Sequence, residues 1–154
     1  MNFRYRNIFL PLLVAVLGLG GCATSKSPRM AVDVEASYSI NPDRNGRASP
    51  VVLYVYYLQS SSAFDNARYI ALATDASDIL GRDLLSVREI EVSPGQSLSL
   101  ATGEIPEATR YVGVVGAFRD IDNAQWRGSV MVKKGEKFTL DVFVDDVRLF
   151  VSKD

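Results

Sequence analysis

Val51-Val52-Leu53-Tyr54-Val55-Tyr56-Tyr57-Leu58-Gln59 is apolar on both of its alternating faces. Val51, Leu53, Val55 and Tyr57 fall on one side of an extended chain, and Val52, Tyr54, Tyr56 and Leu58 on the other, because successive side chains of a strand point in opposite directions. A strand with one wet face alternates apolar and polar; a strand apolar on both faces is covered on both. One cover is the facing sheet of a sandwich, and the following residues supply the other. Ser62, with Asp65 three residues on, is close to a capping box. Phe64, Ala67, Ile70 and Ala71 share a helical face. Asp75 with Asp78 can open a second short helix that Gly81 ends. The sequence therefore predicts a helical insertion near residues 62–80, lying on the outer face of this strand.

Strands are predicted on both flanks. Val32, Val34, Ala36, Tyr38 and Ile40 alternate with Asp33, Glu35, Ser37 and Ser39, a period of two with one buried face. Residues 84–92 alternate moderately and end at Ser93-Pro94-Gly95-Gln96, with Leu98 and Leu100 on a return strand. Residues 102–109 read as a loop around Pro106. Residues 111–118 form a strand whose Gly113 and Gly116 mark a bulge or a close backbone approach. Trp126, Gly128, Val130 and Val132 alternate with Arg127, Ser129, Met131 and Lys133. Lys134-Gly135 closes a hairpin into Phe138, Leu140, Val142 and Val144, and Asp145-Asp146 turns the chain into Val147, Leu149 and Val151. The expected architecture is mainly β: a two-sheet sandwich of about eight short strands, spaced as such folds require.

The first residues carry a different signal. Arg4 and Arg6 precede an apolar run from Ile8 to Leu19, and Leu19-Gly20-Gly21 leads into Cys22, the one cysteine. A basic start, an apolar stretch and small residues at a cut form a secretory signal. The run is short of the roughly 20 apolar residues that span a bilayer. The reading is a lipoprotein signal over residues 1–21, removed so that Cys22 becomes the N-terminus and carries lipid on its thiol. Residues 22–29 would be a small, polar tether, and residues 30–154 the folded domain. Ala23 after the cysteine, in place of an aspartate that would hold a lipoprotein at the inner membrane, permits passage to the outer one.

Composition narrows the chemistry. Removing residues 1–21 takes away Arg4 and Arg6 and no acid, so the formal charge moves from −1 to −3. That mild value leaves no footprint for nucleic acid, and no polybasic block reads as a lipid-headgroup patch. Histidine is absent, which excludes a Ser-His-Asp triad, a Cys-His dyad and a His-ligated metal. Acylation of Cys22 leaves no thiol for a disulfide, so packing must stabilise the fold.

Four sets of residues are candidates for function. Asp120 and Asp122 with Asp145 and Asp146 could offer oxygens to calcium, but their spacing fits no regular calcium loop, and aspartate in turns bonds its own backbone. Glu89 and Glu91 share one strand face, yet a carboxylate pair for glycoside hydrolysis also needs a cleft. Tyr54, Tyr56 and Tyr57 suit a pleated core more than a sugar-stacking surface. The loop Asn41-Pro42-Asp43-Arg44-Asn45-Gly46-Arg47-Ala48-Ser49 is rich in turn formers, and its two arginines offer forked donors to a partner's carboxylates.

Asn41-Pro42-Asp43 and Gly46-Arg47-Ala48-Ser49-Pro50-Val51-Val52 also carry a resemblance, which continues through Phe64, Asn66-Ala67, Leu72, residues 80–85 and Pro94-Gly95. It is strongest over Tyr111-Val112-Gly113-Val114-Val115-Gly116-Ala117-Phe118-Arg119-Asp120-Ile121-Asp122-Asn123-Ala124-Gln125-Trp126-Arg127. With the Cys22 signal, the whole chain resembles the outer-membrane lipoproteins of the bacterial type VI secretion system, the TssJ (SciN, VasD) family. Gly116 and Ala48 are small departures, where alanine and proline are common. The resemblance implies a transthyretin-like β-sandwich with a helical insertion and no enzymatic activity, cofactor or metal beyond the covalent lipid. It implies a periplasm-facing place on the outer membrane, binding to the periplasmic domain of TssM, and contact with TssL only through the assembled complex. By position, residues 41–49 correspond to the family's partner-contacting loop. The rival expectation is a lipoprotein that holds a small ligand or glycan on its aromatic strands, through an opening lined by Tyr54, Tyr56 or Trp126.

Overall fold

The structure is a computed structural model that describes residues 26–154. The predicted signal (residues 1–21) and the predicted lipidation site, Cys22, lie outside the described residues. In chain order the elements are β1 (Arg29–Ala36), β2 (Val51–Leu58), α1 (Ser62–Asn66), α2 (Tyr69–Leu80), β3 (Leu84–Val92), β4 (Ser97–Glu104), β5 (Tyr111–Gly116), β6 (Arg127–Met131), β7 (Lys137–Asp145) and β8 (Arg148–Lys153). The strands form two four-stranded sheets, ordered β4-β1-β7-β8 and β3-β2-β5-β6. β1 and β7 run parallel, with Val32 beside Leu140 and Val34 beside Val142; the other pairings are antiparallel. This is the transthyretin arrangement.

β2 explains the architecture. Its Val51, Leu53, Val55 and Tyr57 face the other sheet and join the main core with Val32, Val34, Leu140, Val142 and Leu149. Its Tyr56 and Leu58 face outward into a second core with Phe64, Leu72, Leu80 and Val115. The insertion thus covers the outer face of β2 and β5, as the doubly apolar pattern requires. Phe64 is fully buried, its ring centroid 5.4 Å from that of Tyr56. Gly113 makes the fit possible: a Cβ built there would lie 2.6 Å from Phe64 Cζ. The close-approach reading of Gly113 therefore has a cause. Gly113→Ala is expected to cost about 1–3 kcal/mol through overpacking, read as a lowered midpoint in urea melts; an unchanged midpoint would mean that the ring moves aside freely.

Several local expectations are corrected. The N-cap of α1 is Ser61, not Ser62, and no side chain caps it, so the capping box does not form. Ile70 is 61% exposed; Leu72 and Leu80 face the sheet instead, because the helical phase is reset between α1 and α2 by the extended backbone of Ala67 and Arg68. The second break was legible: α2 kinks at Asp75 (φ −153°, ψ 80°), whose Oδ1 accepts the Asp78 N–H at 3.0 Å, and Gly81 ends the helix with φ 51°. β1 stops at Ala36, and Tyr38 is 86% exposed, since the chain must leave the sheet to begin the long loop. β4 extends to Glu104 through residues expected as loop, pairing with Arg29 and Met30.

The connection through Lys134-Gly135 is not a hairpin. β6 pairs with β5 and β7 with β1, so this turn carries the chain from one sheet to the other. Residues 93–96 do the same between β3 and β4. Alternation alone gives two apolar faces and does not say which partner each strand takes. The fold begins before the bound at residue 30: Pro28 is buried, its carbonyl accepts the Ile105 N–H at 3.0 Å, and Arg29 already belongs to β1.

Candidate functional site

The strand directions give the sandwich two distinct ends. β1 begins at Arg29, beside Glu104 of β4 and Lys137 of β7, and ends at Ala36, beside Val144. The loop over residues 37–50 therefore sits at the end away from the chain's entry. The β5–β6 connection and the β7–β8 turn join it there. Between them lies a broad open cleft of about 1080 Å³, lined by Pro42, Asp43, Arg44, Asn45, Arg119, Asp120, Asn123, Asp146 and Val147.

Asn41 holds the three loops together. It is 3% exposed and left-handed, with φ 47°, a conformation that asparagine tolerates better than most residues. Its backbone N–H donates to the Asp146 carbonyl at 2.8 Å. Its Nδ2 donates to the Pro50 carbonyl at 2.6 Å, and its Oδ1 accepts the Arg119 N–H at 2.8 Å. Ile40, fully buried beside it, plugs the main core.

Asp43 shapes the rim. Its Oδ1 accepts the backbone N–H groups of Asn45 at 2.8 Å and Arg47 at 3.0 Å, and its Oδ2 accepts Arg47 Nε at 2.8 Å. Gly46, with φ 76°, closes the turn by donating to the Asp43 carbonyl at 2.9 Å. The Arg47 side chain, then its N–H, hold the Asp43 carboxyl below its ordinary range; slight desolvation opposes them, and the Asn45 N–H and Arg119 charge add a little. A lowered folded pKa means that this contribution to loop order is present above the ordinary aspartate range and disappears as pH falls through the folded value.

The predicted partner loop divides accordingly. Pro42, Asp43, Arg44 and Asn45 line the cleft. Asn41 lies buried beneath it, and Arg47 turns back on Asp43, leaving Gly46, Ala48 and Ser49 on the outer rim. Arg44 and Asn45 are exposed. Arg119, Asp120, Asn123, Asp146 and Val147 complete the cleft without having been predicted as partner residues. The signal that could have found Arg119 is Asn41 itself, because a buried amide needs both a donor and an acceptor from elsewhere.

The other candidates fall into structural roles. Asp120 accepts both contacts of Asn123 Nδ2 at 3.0 Å, and Asp145 pairs with Arg148. Glu89 and Glu91 are exposed on β3, opposite Tyr54 and Val52. Tyr56 and Tyr57 are core, and burial, helped by the nearby Tyr54, Tyr69 and Glu89, pushes the Tyr56 hydroxyl up to about 12. Trp126 is covered by Tyr69, edge-on at 5.5 Å, and by the Arg127 guanidinium at 4.7 Å. Arg127 also donates to the carbonyls of Phe64 at 3.0 Å and Ala67 at 2.7 Å, tying α1 to β6. The insertion packs where a glycan opening was the rival expectation.

A transthyretin-like sandwich with a helical cover on one sheet and a loop-built cleft at one end defines the class. The chain belongs to the type VI secretion lipoprotein family (VasD, EvfM, TssJ), whose model matches residues 28–147. TssJ1 from Pseudomonas aeruginosa, a type VI secretion lipoprotein of known crystal structure, is 30% identical with a TM-score of 0.78, covering 83% of this chain and 97% of that one. Lip of Serratia marcescens, a membrane-bound component of that secretion system, is 22% identical with a TM-score of 0.71, covering 83% and 98%. A chain in the structure of the TssM C-terminal domain from EAEC is 24% identical with a TM-score of 0.66, covering 80% and 99%. These last two show the fold alone. Comparison with curated protein sequences gave no match. The family is a lipoprotein component of the secretion complex, not a known enzyme family.

Proposed function

We propose that this protein is the outer-membrane-anchored lipoprotein of a type VI secretion membrane complex, lipidated on Cys22. Its cleft end binds the periplasmic domain of TssM, and TssL is reached only through the complex. Its work is mechanical: one end is fixed to a membrane, the other grips a protein, and no bond is made or broken.

The observation that carries the reading is the polarity of the sandwich. The chain enters at Arg29, and the cleft lies at the far end of β1, an eight-residue strand spanning about 25 Å. A tether at the entry end leaves the cleft facing away from the membrane, toward a partner that comes from across the periplasm. The cleft is also pre-formed. Asn41 and Asp43 fix its backbone, so little ordering cost falls on binding. Arg44 and Arg119 give it forked cations suited to carboxylates.

Calorimetry with the periplasmic domain of TssM tests this. Arg44→Ala with Arg119→Ala is expected to weaken affinity at least tenfold, about 1.4 kcal/mol, while the thermal midpoint stays within a degree or two, since both side chains are exposed. Unchanged affinity would take this loop cluster out of the interface.

A further inference from the structure

The end of the sandwich opposite the cleft gathers cations from two stretches of the sequence, residues 26–29 and 133–137. Lys133, Lys134 and Lys137 are exposed around the β6–β7 turn. Arg29, also exposed, lies beside Lys137 in the β1–β7 register and donates its N–H to the Glu136 carbonyl at 2.8 Å. Lys26 completes the group: its backbone oxygen would lie 3.4 Å from a Cβ built on Gly135. The acids at this end are fewer. Glu136 is held by Lys153 Nζ at 2.6 Å and accepts the Lys133 N–H at 2.7 Å. Asp154 accepts the Thr139 N–H, and Glu104, Glu107 and, just before β3, Asp83 remain. Met131, 60% exposed, lies at the same end of β6.

We propose that this basic end docks against anionic phospholipid headgroups, so that the protein stands on the membrane by a charged foot as well as by its lipid. The inference rests on Cys22 being the anchored residue. Ala23, Thr24 and Ser25 alone separate it from Lys26, so the chain lets Lys26 stand no more than about 14 Å from the anchored Cα. The negative surface potential of anionic lipid falls off over about 8 Å at physiological salt. The patch therefore has an occupant set by geometry and by charge. Docking would fix the tilt of the sandwich and hold the cleft outward.

Vesicle sedimentation tests the foot apart from the anchor. The mature chain carrying Cys22→Ser is mixed with vesicles of phosphatidylcholine alone or with about 30% phosphatidylglycerol, the kind of surface that attracts basic segments. All the residues of the two buried cores lie between Met30 and Leu149, so this chain keeps its core without acylation. At low salt, at least fivefold more protein should sediment with the anionic vesicles. The excess should vanish with Lys133→Glu, Lys134→Glu and Lys137→Glu together, and fall at least twofold with Lys134→Glu alone, a turn substitution that leaves the strands intact. Equal sedimentation with both vesicles, persistence of the excess in both variants, or equal competition by soluble polyphosphate would overturn the proposal. Mass spectrometry of Cys22 from membranes is a separate readout: an unmodified thiol would remove the anchor, and with it the membrane role of the patch, whatever the vesicles show.

Discussion

Phe64→Ala is expected to lower the unfolding free energy by about 3–5 kcal/mol, the range for truncating a buried aromatic. The ring is fully buried, meets Tyr56 at 5.4 Å and lies directly on the Gly113 backbone. Without it, α1 loses its one buried side chain, and the cavity opens between the insertion and the outer face of β2. Collapse cannot fill that gap cheaply, because Arg127 fixes the end of α1 through the carbonyls of Phe64 and Ala67. In a domain of this size each kcal/mol shifts the thermal midpoint by about 3–5 °C, so the drop should exceed about 9 °C. Phe64→Leu should recover at least half of it, since much of the apolar volume remains. The measurement is a pair of urea and thermal melts. A loss below about 1 kcal/mol would mean that the insertion merely rests on the sheet rather than forming part of its core.

That expectation follows from the feature the sequence shows most openly. Two apolar faces on β2 demand two covers, and a helix-forming stretch follows within a few residues. The sandwich, its insertion and the kink at Asp75 are legible because each depends on residues close together in the chain. Strand partners are not. The Lys134-Gly135 turn has the composition of a hairpin, yet β6 and β7 belong to different sheets, because β7 finds a parallel partner in β1, about a hundred residues earlier. The same limit hid the exposed face of α2. Ile70 fits one continuous helical phase with Phe64, but the extended residues between α1 and α2 break that phase.

The site was half legible for the same reason. Residues 41–49 announce a loop by their turn chemistry, and the Asp43-to-Gly46 turn is local enough to read. Arg47 has the forked donors to hold a partner's carboxylate, but the nearest carboxylate is Asp43, four residues away, at 2.7 Å. The opposite wall of the cleft comes from Arg119 and Asp146, and no spacing rule connects either to the loop. The basic foot is the extreme case. Lys133, Lys134 and Lys137 are close in the chain, but Lys26 and Arg29 join them only after β1 and the β6–β7 turn are brought side by side.

Asn41→Ala should be the most damaging substitution in the loop, costing about 2–5 kcal/mol. Two losses combine. The Pro50 carbonyl and the Arg119 N–H, both part-buried, are left without a partner, at about 1–3 kcal/mol, and alanine is held at a left-handed φ that costs about 1–2 kcal/mol. Asn41→Gly separates the two. Glycine accepts φ 47° without steric penalty, so it removes the strain and keeps the loss of the amide. It should be more stable than the alanine variant, yet bind the proposed TssM partner as weakly, because the Arg119 wall and the Pro50 carbonyl lose their side-chain tie in both while the backbone bond to Asp146 stays. Hydrogen exchange at the Arg119 amide should accelerate at least tenfold in each, reporting the loss of the Oδ1 acceptor directly. Asn41→Asp keeps that acceptor but sets a carboxylate against the Pro50 carbonyl, so its Arg119 amide should stay protected while its melting temperature falls as pH rises. If the alanine variant melted like the parent and kept its exchange protection, the buried amide would not be what joins the loops, and a pre-formed cleft would lose its physical basis.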